Sequence, residues 1–243
     1  MIYSVRLIVL HTLPYTDSSL LVYAYTNLFG RQTYMLRGGK TKKTHRTASQ
    51  FFPLHVLDAE VTRKNGANIH HIKEFCTCNG LYGMRTDIYK SVIALFLGEV
   101  LYKSVKEEEA NLPLFHFLVA SIYTLNDLEE GVANFHLYFL AQLCTHLGYA
   151  PFPNFDVRHT PLFDMAQGVF VPTGTASDHL FSHEDSRLLA KLTALPSAAH
   201  AARIPLNGAQ RHQFVMQMMR YLRYHLGAPL DMKSPDVLQQ IFK

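Results

Sequence analysis

Three groups of residues in this chain have types and spacings that could do chemistry. The first is the run Arg37-Gly38-Gly39-Lys40-Thr41-Lys42-Lys43-Thr44-His45-Arg46. Gly39-Lys40-Thr41 matches the end of a nucleotide-binding loop, whose full pattern is G-x-x-x-x-G-K-[ST] between a strand and a helix. The pattern fails on both sides. Its first glycine would fall where Tyr34 stands, and the residues that follow lack helical spacing and run into Pro53. No helix N-terminus is therefore expected to receive a phosphate. The electrostatic reading is stronger. Positions 18–57 contain no Asp or Glu, but they contain Arg31, Arg37, Lys40, Lys42, Lys43 and Arg46. An acid-free cationic run beside glycines and small hydroxyl residues suits the phosphate backbone of a nucleic acid. The plainer alternative is a solvated loop that only aids solubility.

The second group is Cys76-x-Cys78 with His70 and His71 nearby. Structural zinc takes four ligands, commonly in two close pairs, and the only other cysteine is Cys144 in an apolar segment. No metal is expected, and Cys76 and Cys78 read as small buried residues on one face of a strand. The third group is scattered: histidines with no nucleophile signature, and Asp127, Glu129 and Glu130, which read as a helix-capping cluster. No G-x-S-x-G or G-x-G-x-x-G appears. Neither an enzyme nor a cofactor is expected. Tyr23, Tyr25 and Tyr34 are a further option: facing outward they would stack bases, facing inward they fill a core, which is the simpler reading.

The elements that must position these groups change period near residue 80. Before it, five segments read as strands: YSVRLIVLHTL, SLLVYAYTN, RQTYMLRG, FFPLHVLDAEV and IHHIKEFCTC. Five short strands in so short a stretch suit a small closed barrel, of which the OB-fold is the commonest that binds single strands. After Gly83 the spacing is helical, opening on a Thr86-Asp87 cap. VANFHLYFLAQLCTHLG is apolar almost all round and marks a central buried helix stopped by Gly148 and Pro151. Residues 149–180 are irregular, with a small hairpin expected at GVFVPTG. A short helix then opens at Ser182 and a longer one runs through NGAQRHQFVMQMMRYLRYHLG, the latter with Arg220 opposite its apolar face. The expected fold is α+β: an OB-fold barrel over 1–80, then an all-helical domain over 81–243 with a small insertion at 149–180.

Composition sets the limits. In 243 residues, 48% are hydrophobic and 17% charged, enough for packed cores. Three cysteines are too few for a secreted disulfide scaffold. The N-terminus has no long apolar run and no small-residue cleavage site, and no stretch reaches membrane-spanning length. A cytoplasmic protein is expected. Charge is segregated along the chain. Residues 1–75 carry ten Lys/Arg against four Asp/Glu, residues 76–202 seven against thirteen, and residues 203–243 six against two. A basic–acidic–basic layout suggests two segments that meet polyanions and a middle that does not.

Residues 9–44 resemble the opening of the RecO family of bacterial recombination mediators. Pro14-Tyr15-Thr16-Asp17-Ser18-Ser19-Leu20, then Phe29-Gly30-Arg31, then Arg37-Gly38-Gly39-Lys40 follow the family's order of motifs. HLGYAPFP at 146–153 resembles its LG-x-x-P element. The resemblance implies an OB-fold followed by a helical domain, binding of single- and double-stranded DNA, and annealing of complementary strands. It also implies partnership with RecR and with the C-terminal tail of the single-strand-binding protein SSB, to load RecA, by a protein that is a monomer on its own. One departure is plain. Many members carry two cysteine pairs after LG-x-x-P as a zinc ribbon, and residues 154–174 here contain no cysteine. Zinc is therefore not carried over, and a hairpin held by packing is expected instead.

The expected DNA contacts are Arg31, Arg37, Lys40, Lys42, Lys43 and Arg46, with Arg220 and Arg223 extending the track. The alternatives are an RNA-binding OB-fold protein of translation or RNA decay, an enzyme using HHIKEFCTC, and a pure protein scaffold.

Overall fold

The computed structural model describes residues 1–16, 19–37, 50–64, 66–78, 81–227 and 232–242. They form two compact units, Met1–Asn126 and Asp127–Lys243.

In the first unit, strands β1 (Ile2–Thr16), β2 (Ser19–Thr26), β3 (Gly30–Arg37), β4 (Val56–Thr62) and β5 (His70–Thr77) close into a barrel. The order is β1-β2-β3-β5-β4, with β4 returning to β1. The pairs are antiparallel except β3–β5, which is parallel. This is the OB-fold. Alternation builds its interior: Val5, Leu7 and Val9 of β1 meet Val22, Ala24, Tyr34, Leu57, Val61 and Ile72.

The neighbouring β1 residues Ile8 and Leu10 are also buried, so that strand is covered on its outer face as well. Helix α2 (Ile88–Ser104) packs against β1. Gly98 permits the approach, since a Cβ there would meet the carbonyl of Leu10 and the ring of Pro53. Asp87 caps α2 by accepting from the amides of Tyr89 and Lys90, as expected. Two further helices complete the unit: the short α1 (Gly83–Thr86) and the 16-residue α3 (Leu112–Asp127), the latter with Pro113 in its first turn. These helices group with the barrel because they bury its outer face. The change of period near residue 80 marks a change of secondary structure, and the compact units divide later.

The fourth strand begins later than the sequence pattern suggests. Residues 51–55 form a turn in which Leu54 has a φ of 64°, while its amide donates to the Val9 carbonyl at 2.7 Å. The Glu107–Glu109 run is a loop whose backbone crosses the β2–β3 turn. Arg31 N–H donates to the Glu107 carbonyl at 2.8 Å, and a Cβ on Gly30 would collide with the carbonyls of Glu107 and Glu109.

The second unit is built on α4 (Phe135–His146), which packs against α5 (His183–Ala194), α6 (Ala198–Ala201) and α7 (Gly208–Leu226). Helix α8 (Ser234–Ile241) lies on α7. Ser182 caps α5, and Asn207 caps α7 in a reciprocal box with Gln210. The unit is not wholly helical. Strands β6 (Leu162–Asp164) and β7 (Val169–Val171) form a hairpin in which GVFV supplies only the second strand. Phe163 is its anchor, with ring centroids 5.1 Å from Phe170, 5.2 Å from Phe181 and 5.3 Å from Tyr221. The side chain of Asn154 donates to and accepts from Phe170, both at 2.9 Å. Aromatic packing and this amide hold the hairpin in place.

Candidate nucleic-acid interface

The expected cationic residues fall into three sets. Lys40, Lys42, Lys43 and Arg46 lie outside the described residues. Arg31 and Arg37 are on β3, and Arg220 and Arg223 are on α7 in the second unit.

Arg37 ends β3, exposed, at the point from which the basic run departs. Arg31 is half-buried and tightly held. Its Nη1 donates to the carbonyls of Tyr102 at 3.0 Å and Val105 at 3.1 Å, and its guanidinium carbon sits 4.7 Å from the Tyr102 ring centroid. Such a guanidinium is preorganised, with little side-chain entropy left to lose on meeting a phosphate.

Arg31 lines a polar cleft of about 540 Å³ with Gln32, Thr33, Arg63, Lys64, Lys106 and the β4–β5 turn. The cleft holds four cationic side chains and one carboxylate, Glu108. Arg63 is positioned by Phe29, its guanidinium carbon 4.0 Å from the ring centroid. Partial burial, then repulsion from Arg31 and Lys103, holds the Lys106 ammonium below the ordinary lysine value. Burial, then the nearby Arg63, likewise lowers His70 below the ordinary histidine value. A bound polyanion would relieve this crowding of positive charge. Arg63, Lys64 and Lys106 were missed as candidates from sequence. Arg63 and Lys64 sit in RKNGAN, whose turn signal masks their charge, and Lys106 adjoins three glutamates.

The tyrosines do not form a stacking platform. Tyr34 is fully buried in the barrel core. Tyr23 and Tyr25 face outward but are covered within the same unit: Tyr23 packs edge-on to Tyr102 at 4.9 Å, and the fully buried Tyr25 lies 6.4 Å from Phe115. Helices, not bases, occupy that face.

The cysteine expectation is corrected. Cys76 is exposed, and Cys78, half-buried, has its thiol 3.5 Å from Asp58 Oδ2. Burial, then Asp58, raises the Cys78 pKa, which disfavours a thiolate. The strand's outer face is open here, so the pair is not core. No cluster of three metal-ligating residues occurs among the described residues.

On the second unit Arg220 Nη2 donates to the Asp178 carbonyl at 2.7 Å, and Arg223 is exposed on the same helix. That unit also carries an apolar groove of about 530 Å³ floored by Pro151, Pro153, Phe155 and Phe170. Phe152, 60% exposed, stands over it, and Arg187 and Lys191, one helical turn apart on α5, line its edge. No carboxylate lines it. The sequence signal for this groove was an exposed aromatic between prolines, legible only once α5 is placed beside it.

An OB barrel with a cationic cleft, joined in one chain to a helical unit, defines the class of protein by its fold. Comparison with known proteins gives the particular family. The family model described as Recombination protein O N terminal matches residues 1–80, and that described as Recombination protein O C terminal matches residues 85–234. The DNA repair protein RecO of Azobacteroides pseudotrichonymphae is 32% identical over 242 residues, covering 100% of both chains. The protein of the same name from Bacteroides fragilis is 34% identical over 238 residues, 97% of each chain, and that of Porphyromonas gingivalis 32% over 241 residues, 98% of each. The chain belongs to the RecO family.

Proposed function

We propose that this chain is a DNA repair and recombination mediator that binds single- and double-stranded DNA and anneals complementary strands. With RecR it helps to load RecA onto SSB-coated DNA. The observation that carries the reading is the cationic cleft on an OB barrel in a chain that matches its repair-protein relatives from end to end. Residues 1–80 serve as the nucleic-acid-binding domain and residues 81–243 as the helical domain that meets partners.

The mechanism is electrostatic. Arg31, Arg37, Arg63, Lys64 and Lys106, together with Lys40, Lys42, Lys43 and Arg46, take up phosphates and release the counterions condensed on them. Two strands held on one cationic surface repel each other less, which favours pairing. Arg220 and Arg223 supply further phosphate contacts from the helical domain. No bond is made or broken by the protein, so it needs neither nucleotide nor cofactor. The groove under Phe152 receives the C-terminal tail of SSB: the tail's apolar residues fill the floor, and its carboxylates pair with Arg187 and Lys191. The protein works as a monomer in the cytoplasm, at the nucleoid. No helix among the described residues is long and apolar enough to cross a membrane.

The test is annealing of two complementary oligonucleotides, one coated with SSB, without ATP. Acceleration by the protein, lost on Arg187→Ala/Lys191→Ala only when SSB is present, supports both halves of the reading. No acceleration on naked or coated strands overturns it, and a preference for RNA over DNA of the same sequence would reassign the cleft.

A further inference from the structure

A groove of about 780 Å³ lies in the first unit, between the outer faces of β1, β4 and β5 and helix α3. Its apolar side chains come from α3: Phe115 is buried, Val119 is half-buried, and Leu112 at the rim is 49% exposed. Its charge is opposite to that of the cationic cleft. Glu60 and Glu74 line it from directly opposed positions in the β4–β5 ladder. Like charges so placed destabilise a sheet. Neither has an ion-pair partner among the described residues, whereas the third carboxylate, Asp58, is neutralised by Arg6 in a two-pronged pair at 2.7 and 3.0 Å. The only other titratable side chain lining the groove, besides Cys76, is His116 on α3.

We propose that this groove docks a segment of a partner protein that bears an apolar anchor side chain flanked by lysine or arginine. The apolar side chains of α3 supply burial for the anchor, and a volume of this size suits a few side chains. The facing carboxylates supply the charge selection: a cation set between Glu60 and Glu74 turns a repulsive pair into two attractive ones. The same carboxylates repel phosphates, so the face is suited to protein and not to nucleic acid. A protein seated here leaves the cationic cleft, with its own distinct lining, free for DNA.

The test uses the full chain and two matched sets of short labelled peptides, read by fluorescence anisotropy. In one set a central Leu, Ile, Met or Phe is flanked by lysines, and in the other by glutamates. Binding of at least one lysine-flanked peptide, with no binding of its glutamate counterpart, is expected. Glu60→Lys/Glu74→Lys and, separately, Val119→Asp should each weaken that binding by about tenfold or more, while circular dichroism stays that of the parent chain. Glu60 and Glu74 are exposed, so their variant tests the groove without threatening the fold. The proposal is overturned if no lysine-flanked peptide binds, or if the glutamate set binds equally. Binding that survives Glu60→Lys/Glu74→Lys would also overturn it. So would sedimentation velocity showing a dimer abolished by Val119→Asp, which would make the occupant a second copy of this chain. DNA affinity measured in parallel separates failure of this groove from failure of the cleft.

Discussion

The first unit carries two concave surfaces built from the same barrel, and they select opposite ligands. The cleft beside β3 and the β4–β5 turn is polar and lined by Arg31, Arg63, Lys64 and Lys106. The groove against α3 is apolar and lined by Glu60 and Glu74. Both draw on β4, β5 and the residues flanking them. What separates them is position. Arg63 and Lys64 lie between β4 and β5, where Lys64 is exposed. The strand positions 58, 60, 74 and 76 stand on a face that α3 half covers. A closed barrel has no free edges, so its ligand chemistry is decided by what its turns carry and what its helices leave open.

The largest effect that would break this contrast lies in the loop that leaves β3. Lys40→Ala/Lys42→Ala/Lys43→Ala should weaken single-stranded DNA binding about 100-fold near 0.1 M salt and flatten the log–log salt slope by about 2. Unchanged affinity would remove the basic run from the interface. A titration in salt by fluorescence anisotropy gives both numbers.

Acid offers a way to weaken the second unit without altering either surface of the first by mutation. Burial holds the fully enclosed His136 at a pKa of about 3, so it is neutral in the folded unit. Unfolded, it takes up a proton below its ordinary value of about 6.5. Its contribution is therefore intact above that value and declines as pH falls from 6.5 towards 3. Moving from pH 7.5 to 5 should cost about 2 kcal/mol of stability through this residue. Urea unfolding at both pH values checks it, and His136→Gln should lose that part of the pH dependence.

Within the cleft itself, Lys64→Ala/Lys106→Ala should lower DNA affinity about 20-fold near 0.1 M salt. Neither lysine is buried in a core, so thermal stability should hold. An effect under about twofold would place the DNA track elsewhere on the barrel. The smallest expected change sharpens the contrast most. Glu60→Gln/Glu74→Gln should alter DNA affinity by less than about twofold, because those carboxylates belong to the other surface. A gain of tenfold would mean that DNA crosses both.

The sequence carried much of this outcome, for reasons that particular residues make plain. Alternation in YSVRLIVLHTL and the helical spacing after Thr86-Asp87 are local properties, and each local choice agreed with the final fold. The caps at Asp87 and Ser182 were legible because capping needs only a side chain and the amides two or three residues on. The failed phosphate loop was equally local, since a missing glycine is visible without coordinates. The acid-free run was legible because net charge requires no geometry.

Contacts distant in sequence could not be read in the same way. Nothing near Tyr23 or Tyr25 announces that α2 and α3 cover them, and nothing near Cys76 announces that its face stays open. Glu60 and Glu74 become a facing pair only through the β4–β5 register, and Arg31 joins Arg63, Lys64 and Lys106 only when the barrel closes. The sequence by itself determined the strands, helices, caps and segregation of charge, because those follow from neighbours along the chain. Tertiary structure alone decided which tyrosines are core, which cations share a cleft and which carboxylates confront each other, because these depend on strand register and on which helix covers which face.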